Sequence, residues 1–213
     1  MSNSQFIRPE TIERRAGELL AKYETMAGTA LASPIPIERI AEDLIDLQIL
    51  WQTLPESENE TILAGLSPRK KLVVFNENRL PLFDKTPGLY RTVLAHEIGH
   101  WELHVDKASV NQQPMPGMVE QLQFLFRSEK QSWDERNAHL FMSHLLMPEA
   151  LLNPLIRNVR DFDWPFLYRL RDMLQVTISV LRIRLERKGL LYVDPDGEIH
   201  RSRGEYNGQV RMI

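Results

Sequence analysis

Residues 94–106, LAHEIGHWELHVD, gather three histidines, two glutamates and an aspartate into thirteen positions. Imidazole nitrogens and carboxylate oxygens are donors that divalent metal ions take, and a carboxylate beside such an ion can serve as the base that activates water. His96 and His100 stand four apart with Glu97 next to the first, the pattern HExxH. On an α-helix a four-residue step is about 40° of rotation and about 6 Å of rise, so both rings can aim at one ion. A lone histidine is most often a satisfied core or surface residue. Two on one helical face, with an acid beside them, point to a metal site. The chain has no cysteine. Thiolate ligands, disulfides and cysteine nucleophiles are therefore excluded, and any metal rests on imidazole and carboxylate.

The third ligand must be sought further along. The extended pattern HExxHxxGxxH uses a glycine to bend the chain back to the metal. Here Leu103 holds the glycine position and Asp106 the last one. In a continuing helix Asp106 lies about 120° from His100 and points away. His104 shares the histidine face but sits about 12 Å along the axis from His96, which suits a residue lining the cleft or capping the helix end. A second patterned segment, SWDERNAHLFMSHLLMP, places Ala138, Phe141, Met142, Leu145 and Leu146 at i, i+3, i+4, i+7 and i+8. Glu135 falls on that inward face, His139 one turn beyond it, and His144 on the opposite side, toward solvent. Ser132 and Glu135 also form a capping box, so capping and metal binding compete for one side chain. An inward carboxylate needs a cation, which favours the metal.

These residues need elements to hold them. Pro9 to about Tyr23 and the segment from Pro36, IPIERIAEDLI, read as packing helices. LQILW, TILAGL and KLVVFN read as strands of a small antiparallel sheet. Thr86 and Pro87 are placed as cap and first residue of the HExxH helix, whose stripe of Tyr90, Leu94, Ile98, Trp101 and Val105 packs it. QLQFLF, after Pro114, Pro116 and Gly117, is a candidate lid. The second helix runs from about Trp133 to Met147 and stops at Pro148. The remainder reads as helix, turn, helix and a hairpin around DPDG, with Asp163 and Thr177 as caps and Gly189 as a stop. The fold expected is α+β, with one domain over residues 1–155 and a helix-turn-helix-like subdomain over residues 156–213.

At 213 residues, 43% hydrophobic and 26% charged, the chain can bury a full core. It carries no long apolar run and no secretory leader, so the cytoplasm is the expected location. A net charge of −3 offers no global attraction to nucleic acid. Arg169, Arg171, Arg182, Arg184, Arg187 and Lys188 give the C-terminal segment a local basic character, which reads as a packing surface, a docking surface or a DNA contact.

In motif order the chain resembles the ImmA/IrrE-type metallopeptidases. A segment like IPIERIAEDL precedes LAGLSPRKKLVVFN, then AHEIGHWELH, then E-x-x-A ahead of LLMP, over most of residues 10–150. The resemblance implies a zincin-like domain with Zn2+ held by His96, His100 and Glu135, and Glu97 as catalytic base. It also implies cleavage of a helix-turn-helix repressor that silences stress-response or mobile-element genes. The asparagine of the family's second motif is His139 here, and the segment joining the motifs is longer. His139 either orients Glu135 or itself enters the coordination sphere. Tyr90, His104, His139 and Tyr168 are the polar candidates for stabilising the carbonyl oxygen. The alternative is a non-catalytic zinc-containing regulator that sequesters a repressor or toxin, or binds DNA through its C-terminal segment.

Overall fold

The computed structural model describes residues 5–56, 61–110 and 132–208. Helix α1, Pro9–Ala27, opens on proline and buries Ile12, Ala16, Leu19, Leu20 and Tyr23 at helical spacing. Nothing after Tyr23 breaks it until Gly28, whose left-handed backbone (φ 65°) returns its N–H to the Glu24 carbonyl at 2.9 Å. Helix α2, Ile37–Arg39, runs into one wider π-helical turn over Ile40–Leu44.

Strands β1 (Gln48–Gln52), β2 (Ala64–Ser67) and β3 (Leu72–Asn76) form one sheet in the order β1-β3-β2. β2 and β3 are antiparallel across a tight turn at Pro68–Lys70, whereas β1 and β3 are parallel. The sheet is therefore mixed and not wholly antiparallel. β3 carries the fully buried Val73, Val74 and Phe75 and takes the centre. The chain reverses twice between β1 and β3, so these two must point the same way.

A short helix, α3 (Leu80–Lys85), precedes the HExxH helix α4 (Leu89–His104). The start of α4 lies two residues later than the Thr86-Pro87 signal predicts. Thr86 instead closes α3, and its carbonyl accepts from the Leu89 N–H at 3.1 Å. Gly88 makes the junction, with φ 76° and with its Cα so close to Val176 that an added Cβ would stand 2.3 Å from that residue's carbonyl carbon. Positive φ and close approach both demand glycine there.

After α5 (Lys107–Val110), α6 spans Trp133–Leu146, capped by Ser132, whose Oγ accepts from the Glu135 N–H at 3.3 Å. Pro148 introduces α7, Glu149–Ile156. α4 and α6 cross where Gly99 meets Ala138: a Cβ on Gly99 would lie 2.9 Å from the Ala138 carbonyl oxygen. The helix pair α8 (Trp164–Leu174) and α9 (Ile178–Arg187) is capped by Asp163 at 2.7 Å and Thr177 at 3.3 Å. Gly189 (φ 68°) then turns the chain into the antiparallel hairpin β4 (Tyr192–Val193) and β5 (Ile199–His200), followed by α10, Arg203–Tyr206.

Leu167, Leu174, Val176 and Leu185 belong to the same continuous core as Leu94, Ile98 and Phe141. The Thr177 N–H also reaches Thr92 Oγ1 on α4 at 3.4 Å. The helix-turn-helix-like tail is thus packed onto the HExxH helix. Among the described residues no helix is long and apolar enough to cross a membrane.

Candidate metal centre

The crossing of α4 and α6 brings His96, His100 and Glu135 together, with one ligand atom from each within 4.8 Å of the others. His96 Nε2 lies 3.0 Å from His100 Nε2 and 3.1 Å from Glu135 Oε2, while His100 Nε2 lies 3.1 Å from Glu135 Oε1. A tetrahedral ion with ligands at about 2.0–2.1 Å sets them about 3.3 Å apart, close to this triangle. Two ring nitrogens and a carboxylate facing one point can each turn a lone pair to a shared cation. The donor set fits a metal.

Burial raises the Glu135 pKa, but the hydrogen bonds from His100 and His96 outweigh it and hold the carboxyl well below the usual carboxylate range. The rivalry between capping and ligation dissolves because different atoms serve each. The Glu135 backbone N–H goes to Ser132, while its side chain turns to the histidines. Glu97, 7% exposed, lines the same cleft of about 380 Å³. Thr61, Ile62, Leu63 and Ala64, leading into β2, form one wall; Val93 and Met142 form another.

The other sequence candidates fall around this centre. His139 lines the cleft with its ring 4.4 Å from that of His96, but stands outside the three-atom group. His104 lies at the helix end, where Nε2 meets the Asp134 carbonyl at 3.1 Å and ties α4 to the start of α6. Asp106 is turned away: its Oδ1 accepts the Ala108 N–H at 3.0 Å, opening α5. The candidate lid QLQFLF lies outside the described residues.

His144 departs from the sequence reading. It is buried, not solvent-facing, because α1 and α9 cover that side of α6: Nδ1 is 3.5 Å from Glu13 Oε1 and Nε2 is 3.2 Å from Arg184 Nη1. Burial, then the Arg184 charge, push its pKa down to about 4. Sequence reasoning also passed over Gly99, whose missing side chain lets the two ligand-bearing helices touch. The signal was present, a glycine inside HEIGH with a small residue, Ala138, on the facing helix. A second group, Asp194, Glu198 and His200, escaped notice because it forms only when the terminal hairpin closes.

Residues 83–186 match the Peptidase M78 family, described as the IrrE N-terminal-like domain. No curated protein matches the chain. The matched stretch contains α4 and α6 with all three centre residues and runs on through most of α9. With the HExxH helix and the downstream glutamate meeting at one point, the match over residues 83–186 supports an ImmA/IrrE family metallopeptidase.

Proposed function

We propose that the protein is a zinc-dependent endopeptidase that cleaves a cytoplasmic helix-turn-helix transcriptional repressor and so relieves repression. The observation that carries the reading is the His96, His100 and Glu135 triangle beside Glu97 in an open cleft. A donor set of two imidazoles and one carboxylate is that of catalytic zinc sites, which keep a position open. When bound, zinc supplies Lewis acidity that makes water a nucleophile near neutral pH and polarises a peptide carbonyl.

The chain's own residues do the rest. Glu97, one residue from His96, takes the proton of the attacking water and returns it to the amine nitrogen as the C–N bond breaks. Residues 61–64 border the cleft, and β2 pairs with β3 on one side only within its sheet. An extended substrate segment laid along that edge would gain backbone hydrogen bonds and bring its carbonyl over the centre.

The test is to incubate purified protein and zinc with the repressor encoded nearest to its gene. Wild type is expected to yield two fragments. Glu97→Gln is expected to fold, hold metal and cleave at least about 100-fold more slowly. Equal cleavage by both would remove Glu97 from the mechanism. Full relief of repression by Glu97→Gln, with loss in His96→Ala, would replace the peptidase reading with sequestration.

For the C-terminal pair, several observations favour packing over DNA contact. Arg184 is buried, Arg171 pairs with Asp172 and Lys188 with Glu149, and the Thr177 N–H at the start of α9 is directed to Thr92.

A further inference from the structure

We propose that His139 is a catalytic residue, an N–H donor to the scissile carbonyl oxygen as that oxygen gains negative charge. The assignment rests on the peptidase reading and adds to it a group outside the ligand triangle.

Four polar side chains were candidates for this task, and their positions separate them. Tyr90 sits in an aromatic cage, 4.7 Å from the Phe75 ring and 6.1 Å from Trp51, and is not part of the cleft wall. Tyr168 is 44% exposed on α8, between the Trp164 ring and the Arg171 guanidinium. His104 is engaged by the Asp134 carbonyl. His139 faces the cleft, exposed within it and beside His96.

The helix geometry explains why it is there. α4 presents His96 and His100 four residues apart; α6 presents Glu135 and His139 with the same step, and the helices cross at Gly99 and Ala138. Three of these four groups converge within 4.8 Å and the fourth does not. A fourth converging histidine would give a closed, structural type of centre; a displaced one leaves a coordination position open with a donor next to it. The rings of His139 and His96 are 4.4 Å apart and tilted by 46°, so His139 borders the space beside the triangle instead of occupying its focus. Among the described residues its ring makes no hydrogen bond. Either protonation state of imidazole carries an N–H. A donor held against a developing oxyanion strengthens its bond only in the transition state, and losing one typically costs about 100- to 1,000-fold in rate.

The experiment compares wild type, His139→Leu and His139→Gln, each loaded with zinc. Three quantities are read: metal content, kcat and KM for the repressor, and affinity for a phosphinic peptide with apolar side chains, whose tetrahedral anion mimics the charged oxygen. The expected result for His139→Leu is unchanged metal content, KM within about threefold, and kcat and phosphinate affinity lowered about 100-fold. His139→Gln, which restores an N–H, is expected to recover at least about tenfold of both. Loss of the metal in His139→Leu would make His139 a ligand and overturn the proposal. So would wild-type turnover and phosphinate affinity in His139→Leu. A wild-type protein that holds zinc but neither cleaves nor binds the phosphinate would instead overturn the peptidase reading, and this assignment with it.

Discussion

Among the described residues two places gather three histidine and carboxylate groups within 4.8 Å of one another: His96, His100 and Glu135 where α4 crosses α6, and Asp194, Glu198 and His200 in the terminal hairpin. They differ in what the carboxylate already accepts. Asp194 Oδ1 takes the backbone N–H groups of Asp196 and Glu198 at 3.0 and 2.8 Å, and Oδ2 takes His200 Nε2 at 2.9 Å. These bonds shape the DPDG turn, and the one from His200 is the main reason the Asp194 carboxyl lies below its ordinary value. At the helix crossing each Glu135 oxygen meets a ring nitrogen, and those nitrogens meet each other at 3.0 Å. Two imidazoles and a carboxylate turned to one point can share a cation; a carboxylate oxygen already holding two backbone N–H groups completes a turn. Proximity alone does not define a metal site.

The largest expected effect would break this comparison outright. His100→Ala should lower metal content from about one ion per chain to near zero, whereas Asp194→Ala should leave it unchanged. Elemental analysis after dialysis decides it, and metal lost from the Asp194 variant would reverse the assignment. Next, Gly99→Ala pushes a methyl to within 2.9 Å of the Ala138 carbonyl oxygen. Overpacking should cost up to about 3 kcal/mol in a denaturant titration. By spreading α4 from α6, it should also weaken zinc about tenfold in competition with a chelator.

His144 offers a buried histidine with no metal role. Its folded-state pKa of about 4 lies below the ordinary 6.5, so the unfolded chain takes up the proton first. The stabilisation is complete above pH 6.5 and lost as pH falls toward 4, by about 3 kcal/mol. His144→Gln should flatten that part of a stability-versus-pH curve. The smallest effect is expected of His200→Gln, which loosens the hairpin turn. It should lower the melting temperature by about 2 °C with metal content unchanged.

Much of the centre was legible because helical rotation is a strong constraint. Counting along the second helix put Glu135 on the same face as Met142 and Leu146, and that is the face that meets the HExxH helix. The same counting misjudged His144, since rotation says which residues share a face and not what covers the opposite one. Thr86 and Pro87 carry a helix-start signal, yet Gly88 displaces the start because its positive φ fits a contact with Val176 that no local pattern announces. Strand segments could be read from KLVVFN and its neighbours. Their relative direction could not, because it follows from which strand wins the centre of the sheet.

The seat of α4 on the α8–α9 turn also imposes an order in time. The bond from Thr177 to Thr92 joins residues 85 apart, so the helix bearing His96 leaves the ribosome well before the turn it rests on. At about 5–20 residues per second, that interval is about 4–17 s. Glu135 is made about halfway through it, and from then until Val176 appears the nascent chain carries every group of the triangle without the support beneath Gly88. A chain that stops short of Val176 never acquires that support. Emergence of Val176 and Thr177 is the step that seats α4.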